Sequence, residues 1–254
     1  MNQRTWLLSL GAAALLGAAP GCAPPQSRGT PRNTMVLGID VSGSFKNRHY
    51  DDAIDFAAYY LYGHLNGLGD LRIPTAVFVG SVGGEQPGEV KSFHPIQDFQ
   101  GKSVEQIAAD LRGWFPPEDA LTDFNPFFDR VANLVKRQNL VLAPLNIVVL
   151  SDGLPDVGRA HAGDTVGPYG RLDVTPLEYL SRNVTVRLLY ASPTTGARWE
   201  RGIQRRRVRL WTQDNEVMVG WRTQVLEGEP PEGQDKLWAW IQDNVDFRVR
   251  ARIL

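Results

Sequence analysis

The sequence predicts an α/β protein built on a doubly wound, mostly parallel sheet with helices on both faces. Three observations predict it. Short apolar runs at residues 35–40, 71–79, 145–150 and 184–190 read as strands, and stretches with helical spacing fall between them. Strands separated by helices need crossover connections, so neighbours run parallel. The run Leu-Asn-Ile-Val-Val-Leu at 145–150 is β-branched and almost wholly apolar, as expected of a strand covered on both faces.

Residues 1–21 stand apart from this pattern. Arg4 is the only charge before Cys22, and residues 6–19 form an apolar run too short to span a bilayer as a helix but suited to a signal-peptide core. Small residues, Ala19 and Gly21, precede Cys22. It is the only cysteine, which excludes an internal disulfide. Residues 22–33 are rich in Pro, Ser, Gly and Arg without apolar period and read as a tether. Residues 34–254 then make one domain. The net charge of −1 gives no general basis for binding nucleic acid.

Within the domain, strand 35–40 leads to a helix at 50–65, with Ile54, Ala57, Leu61 and Leu65 on one face and Asp51 and Asp52 in the favourable first turn; Gly67 and Gly69 stop it. Strand 71–79 runs into a Gly-rich turn at 80–88, and 89–93 reads as a short edge strand. Ser103 caps a helix over 103–111, with Gln106 at the capping-box position. Asn125 and Pro126 open a helix reaching 138. After strand 145–150 come a short helix at 175–182, strand 184–190, a helix at 197–206 and strand 208–211. A further strand at 217–221, a helix at 234–245 and a terminal strand over the alternating 247–253 complete the reading.

Chemistry concentrates in three loops. Asp40, Ser42 and Ser44 follow the first strand, Thr122 precedes the Asn125 helix, and Asp152 follows strand 145–150. Open α/β sheets bind ligands outside the carboxyl ends of their strands. Two carboxylates and three hydroxyls there form an all-oxygen set, which suits Mg²⁺, Mn²⁺ or Ca²⁺ better than zinc or copper. Each residue also has an ordinary role: Asp40 as a turn cap, Ser42 and Ser44 as turn hydroxyls, Thr122 as a loop residue. Asp123 reads as a helix-start residue and Asp156 as turn chemistry.

The ordered set Asp-x-Ser-x-Ser, Thr, Asp resembles the metal-ion-dependent adhesion site of von Willebrand factor type A (vWA) domains, over about residues 34–213. The resemblance implies a Rossmann-like fold and a divalent cation, Mg²⁺ first, at Asp40, Ser42, Ser44, Thr122 and Asp152. It gives Ser42 and Ser44 direct contacts, Thr122 a direct or water-borne one, and Asp40 and Asp152 a role largely through waters. Neutral hydroxyls leave such a cation short of negative charge, so a partner's Asp or Glu can complete its shell. The leader resembles a bacterial lipoprotein signal, which implies acylation of Cys22 and a protein held at a membrane of the bacterial cell envelope, outside the cytoplasm. The alternatives for the leader are ordinary cleavage near Ala19 and a retained anchor.

Other chemistries fit less well. The four histidines show no zinc spacing. Neither a Gly-x-Ser-x-Gly elbow nor a Walker loop occurs. An aspartyl-phosphate enzyme would want an acid where Ser42 stands. Arginines at 198, 201, 205, 206, 207 and 209, and again at 248, 250 and 252, read as solvated faces or as contacts for anionic lipid or an acidic partner. Trp199, Trp211, Trp221, Trp238 and Trp240 read as core. The expectation is a non-enzymatic, membrane-tethered protein-binding module using a divalent cation, with a metal-independent envelope scaffold and a phosphoryl-transfer enzyme as alternatives.

Overall fold

The computed structural model describes residues 33–83, 93–117, 121–156 and 167–247. The signal segment, Cys22, nearly all of the tether and the Arg248–Arg252 cluster lie outside these residues, as does most of the alternating C-terminal run. Among the described residues, six strands form one sheet in the order β3-β2-β1-β4-β5-β6. They are β1 (Thr34–Asp40), β2 (Ala76–Val82), β3 (His94–Pro95), β4 (Leu145–Leu150), β5 (Val184–Ala191) and β6 (Arg209–Asp214). All neighbours are parallel except β3, which pairs antiparallel with β2 at the edge. The chain winds outward from β1 in one direction through β2 and in the other through β4. The β1–β4 boundary is therefore the switch point, where the crossovers leave a crevice at the strands' carboxyl ends.

Side-chain alternation along β1 explains the two layers. Met35, Leu37 and Ile39 face a core shared with α2 (Tyr50–Asn66), α3 (Val104–Trp114) and α7 (Asp235–Ile241). Val36 faces the opposite core, filled by Phe124, Phe127, Phe128 and Val131 of α4 (Phe124–Arg137) and by Trp199 of α5 (Pro193–Gly202). Trp199, Trp221 and Trp238 are fully buried, and Trp211 and Trp240 pack at the margin of the first core. None of the helices among the described residues is long and apolar enough to cross a membrane.

Several elements differ from the sequence expectation. β2 starts at Ala76 rather than residue 71, because its parallel register begins where β1 begins, with Thr75 donating to the Asn33 carbonyl at 2.8 Å. It runs on through Gly80 to Val82, opposite Asp40, so the expected turn starts later. The edge strand is His94–Pro95; residues 89–92 lie outside the described set. Asp123, not Asn125, caps α4, accepting from the Asn125 N–H at 3.2 Å. The Asn125 side chain bridges instead to Arg171 and Asp173. Thr175–Leu177 is one 3₁₀ turn, since the Leu180 carbonyl accepts from Leu142 at 2.7 Å instead of continuing a helix. α5 begins at Pro193, four residues early, because Ser192 caps it directly after β5. Residues 217–221 are helical, not a strand: α6 (Asn215–Met218) is capped by Asp214, and a 3₁₀ stretch follows over Val219–Gln224. Met218 and Trp221, three apart, are buried while Val217 and Val219 face solvent.

Candidate metal centre

Asp40 is the last residue of β1 and is fully buried. The chain turns at once into α1 (Gly43–Lys46), for which Ser42 is the N-cap residue. The Ser42 N–H donates to Asp40 Oδ1 at 2.8 Å, which folds the turn back on the carboxylate. Ser42 and Ser44 then stand on one side of that turn, their hydroxyl oxygens 3.3 Å apart. Ser42 is buried and Ser44 exposed. Two hydroxyls at this separation can address one point.

Across the switch point, the end of β4 supplies the matching wall. Ser151 donates its hydroxyl proton to Asp40 Oδ2 at 2.5 Å and accepts from the Gly153 N–H at 2.9 Å. Asp152 Oδ1 accepts from the Leu154 N–H at 3.1 Å. Gly153 has φ +73°, and a Cβ there would sit 2.6 Å from a Leu188 methyl, so no side chain fits this turn. Its carbonyl accepts from the Trp199 indole at 2.8 Å, which ties the turn to α5.

Thr122 comes from a third loop and is fully buried. Asp156 holds it from both sides: Oδ2 accepts from the Thr122 N–H at 3.0 Å, and the Asp156 N–H donates to the Thr122 carbonyl at 2.9 Å. Gly83, at the end of β2, lies underneath with φ +82°. A Cβ on it would fall 1.9 Å from the Leu121 carbonyl oxygen. The structure thus joins Asp40, Ser42, Ser44 and the Asp152 turn by direct contact, and brings Thr122 to the Asp152 loop through Asp156.

Two atoms of this set have no partner. Thr122 Oγ1 and Asp152 Oδ2 are buried and make no hydrogen bond. Buried polar atoms are nearly always satisfied, so two orphans within one five-residue set are unusual. Burial pushes the Asp40 carboxyl from its ordinary value of 3.8 up to about 6, and the nearby negative Asp152 adds to the rise. Hydrogen bonds from Ser151 and Ser42 oppose it. Burial likewise lowers the half-buried His49, which packs on Phe45 and Tyr190, while Asp152 pulls the other way. Among the described residues no three His, Cys, Asp or Glu side chains cluster to hold a metal. Any cation here would rest on mixed carboxylate and hydroxyl oxygens. Oxygen-only donors, excess negative charge at Asp40 and Asp152, and two unmet acceptors fit a hard divalent ion.

Sequence reasoning missed Ser151, Asp156 as the clamp on Thr122, and Gly83. Ser151 was visible beside Asp152, but only the register of β1 against β4 brings it to Asp40.

No family model matches the chain, and no curated protein does. Similar solved structures include the SpRpn10 VWA domain (TM-score 0.42, 12% identity, 81% of this chain and 94% of that one). The human COPII-coat protein Sec24c gives a TM-score of 0.42 at 10% identity over 76% of this chain and 31% of that one. The open conformation of the pilus adhesin SpaC from Lactobacillus rhamnosus GG gives 0.34 at 18% identity, over 50% and 15%. The chain spans less than a third of the Sec24c and SpaC chains. All three TM-scores lie below 0.5, so the fold class rests on the strand order and register described above.

Proposed function

We propose that this protein is a vWA-like binding module that captures a partner carboxylate through a divalent cation, Mg²⁺ first, at Asp40, Ser42, Ser44, Thr122 and Asp152. The observation that carries the reading is the pair of buried, unpartnered oxygens, Thr122 Oγ1 and Asp152 Oδ2. Both belong to the five residues, on different loops at the sheet's switch point. When bound, the ion supplies a Lewis-acidic point for an Asp or Glu of a protein partner. This chain's residues fix that point. Ser151 and the Ser42 N–H hold Asp40, Asp156 holds Thr122, and the Ser42 and Ser44 hydroxyls, 3.3 Å apart, are paired with each other and keep lone pairs to offer the ion.

The role proposed is binding and not catalysis. Both Asp40 oxygens already accept hydrogen bonds in a fully buried position, which suits a structural carboxylate and not an exposed nucleophile. With the leader read as a lipoprotein signal, the module is held outside the cytoplasm at a bacterial membrane through acylated Cys22, the domain starting near residue 34. Two acyl chains suffice for stable anchoring where one binds only marginally.

The test is thermal. Millimolar Mg²⁺ or Mn²⁺ raises the Tm of the wild type, because a ligand bound only by the native state stabilises it. The Ser42→Ala/Ser44→Ala double variant folds but shows no such rise, and capture of partner from envelope extract is lost in EDTA. A wild type indifferent to Mg²⁺, Mn²⁺ and Ca²⁺ refutes the metal reading. Mass spectrometry of the mature N-terminus reads the anchor separately: a free thiol at Cys22 refutes it.

A further inference from the structure

The opposite edge of the sheet holds a second feature, independent of the metal reading. β5 is an apolar strand with one charge, Arg187. Its side chain turns into the layer between sheet and helices and is 6% exposed. A guanidinium stays protonated in proteins, so this is a buried positive charge. Nη2 donates to the Phe247 carbonyl at 3.0 Å. Nε and Nη1 have no acceptor. Arg187 lines a cavity of about 450 Å³ at the amino ends of β1 and β4.

The buried carboxylate of this cavity is already committed. Asp246 Oδ1 accepts from the Tyr60 hydroxyl at 2.7 Å, and Oδ2 lies 2.7 Å from His64 Nε2. His64 Nδ1 lies 2.9 Å from the Arg72 carbonyl, which can only accept. Asp246 draws Arg187 electrostatically, but neither of its oxygens hydrogen-bonds the guanidinium, whose Nε and Nη1 stay unmatched. On the neighbouring strand, in the same cavity, Asn146 Oδ1 is also buried and unpartnered. Arg72 and Asp70 lie at the rim. The cavity thus offers unmet charged donors and one unmet acceptor.

We propose that this cavity binds a small oxyanion carrying its own O–H: a hydroxycarboxylate or a protonated phosphate. The anionic oxygens accept from Arg187 Nε and Nη1, as guanidinium recognises carboxylate and phosphate elsewhere. The ligand's hydroxyl donates to Asn146 Oδ1. Binding at this edge leaves Asp40 and its loops untouched.

Isothermal titration of the whole protein in chloride buffer, with glycolate, acetate and inorganic phosphate, tests this. Glycolate or phosphate gives a saturable heat, and acetate, lacking the hydroxyl, binds roughly tenfold more weakly than glycolate. Glycolate alone assigns the hydroxycarboxylate class, phosphate alone the phosphate class. Arg187→Met abolishes the heat. Asn146→Ala, which keeps the buried charge, brings glycolate down to the level of acetate. Asp40→Asn leaves every affinity unchanged. No saturable heat from either hydroxyl-bearing ion overturns the proposal, as does a heat that persists in Arg187→Met. Acetate binding as tightly as glycolate overturns the role given to Asn146.

Discussion

Thr122 and Asp40 make opposite demands with and without a cation, and this makes them informative to mutate. Thr122 Oγ1 is buried without a partner. Replacing it by the isosteric Val removes an unsatisfied group, which should stabilise the metal-free protein by about 1 kcal/mol. The same variant should lose most of the Mg²⁺-dependent rise in Tm. Urea denaturation in EDTA and melting in Mg²⁺ read the two signs; a Thr122→Val protein less stable in EDTA contradicts the argument. Asp40 gives a pH dependence. Its carboxyl titrates near 3.8 unfolded and at about 6 folded. Between those values the native state binds the extra proton, so in EDTA stability falls as pH rises from about 4 to 6. The loss over that window is roughly 3 kcal/mol. Subtracting the same series for Asp40→Asn isolates it, and equal slopes for both proteins would exclude it.

The loop that carries Thr122 is set by what lies beneath and behind it. Gly83 has φ +82° and no room for a Cβ against the Leu121 carbonyl. Gly83→Ala should therefore cost more than about 1 kcal/mol and displace Thr122, weakening Mg²⁺ along with stability. Asp156→Ala releases the same loop from its other side. Because Asp156 is exposed and no strain is relieved, its effect should fall mainly on the Mg²⁺-dependent Tm shift. These dependencies mark where the sequence stops being readable. The strands β1, β4 and β5 were legible because burial on both faces demands uninterrupted apolar runs, and Ser103 announced α3 through a local capping box. The start of β2 and the turn at 175–177 were not, because a distant partner decides them: β1 by register, and Leu142 by taking the Leu180 carbonyl. Residues 217–221 read as a strand because Val-Met-Val-Gly-Trp is a short apolar run, yet Met218 and Trp221 also satisfy a helical spacing. Of the site, the five side chains were legible as types in order. Ser151 and Asp156, which hold two of them, act across the crevice and leave no local pattern.

The part of the chain beyond β6 belongs to the fold, although the resemblance to vWA domains covers only about residues 34–213. Met218, Trp221, Leu237, Trp238, Ile241 and Val245 are all buried in the core that also holds Met35, Leu37 and Ile39 of β1. Arg222 ties the same region to α2 through Asp52 and Asp55, and Arg112 of α3 shares Asp55 at 2.5 Å. Asp52 also accepts from the Tyr190 hydroxyl at 2.7 Å and the Trp221 indole at 3.0 Å, so one carboxylate joins α2, β5 and the 3₁₀ stretch. Fully burying an aliphatic or aromatic side chain contributes about 1.5–3 kcal/mol, so six such residues contribute on the order of 10 kcal/mol. That equals the whole stability of an ordinary domain, about 5–15 kcal/mol. Ending the chain after Asp214 should therefore yield no cooperative urea transition and a lost near-ultraviolet dichroism signal, with or without Mg²⁺. A truncated protein that unfolds cooperatively near the wild-type midpoint would show that the vWA-like core stands without its C-terminal segment. Asp52→Ala, which breaks the junction while keeping the apolar contacts, should fall between. Its loss is about 1–3 kcal/mol, because the Tyr190 and Trp221 donors are left unmatched while the half-exposed Arg222 keeps Asp55, and it should appear as a lower midpoint with an unchanged m-value.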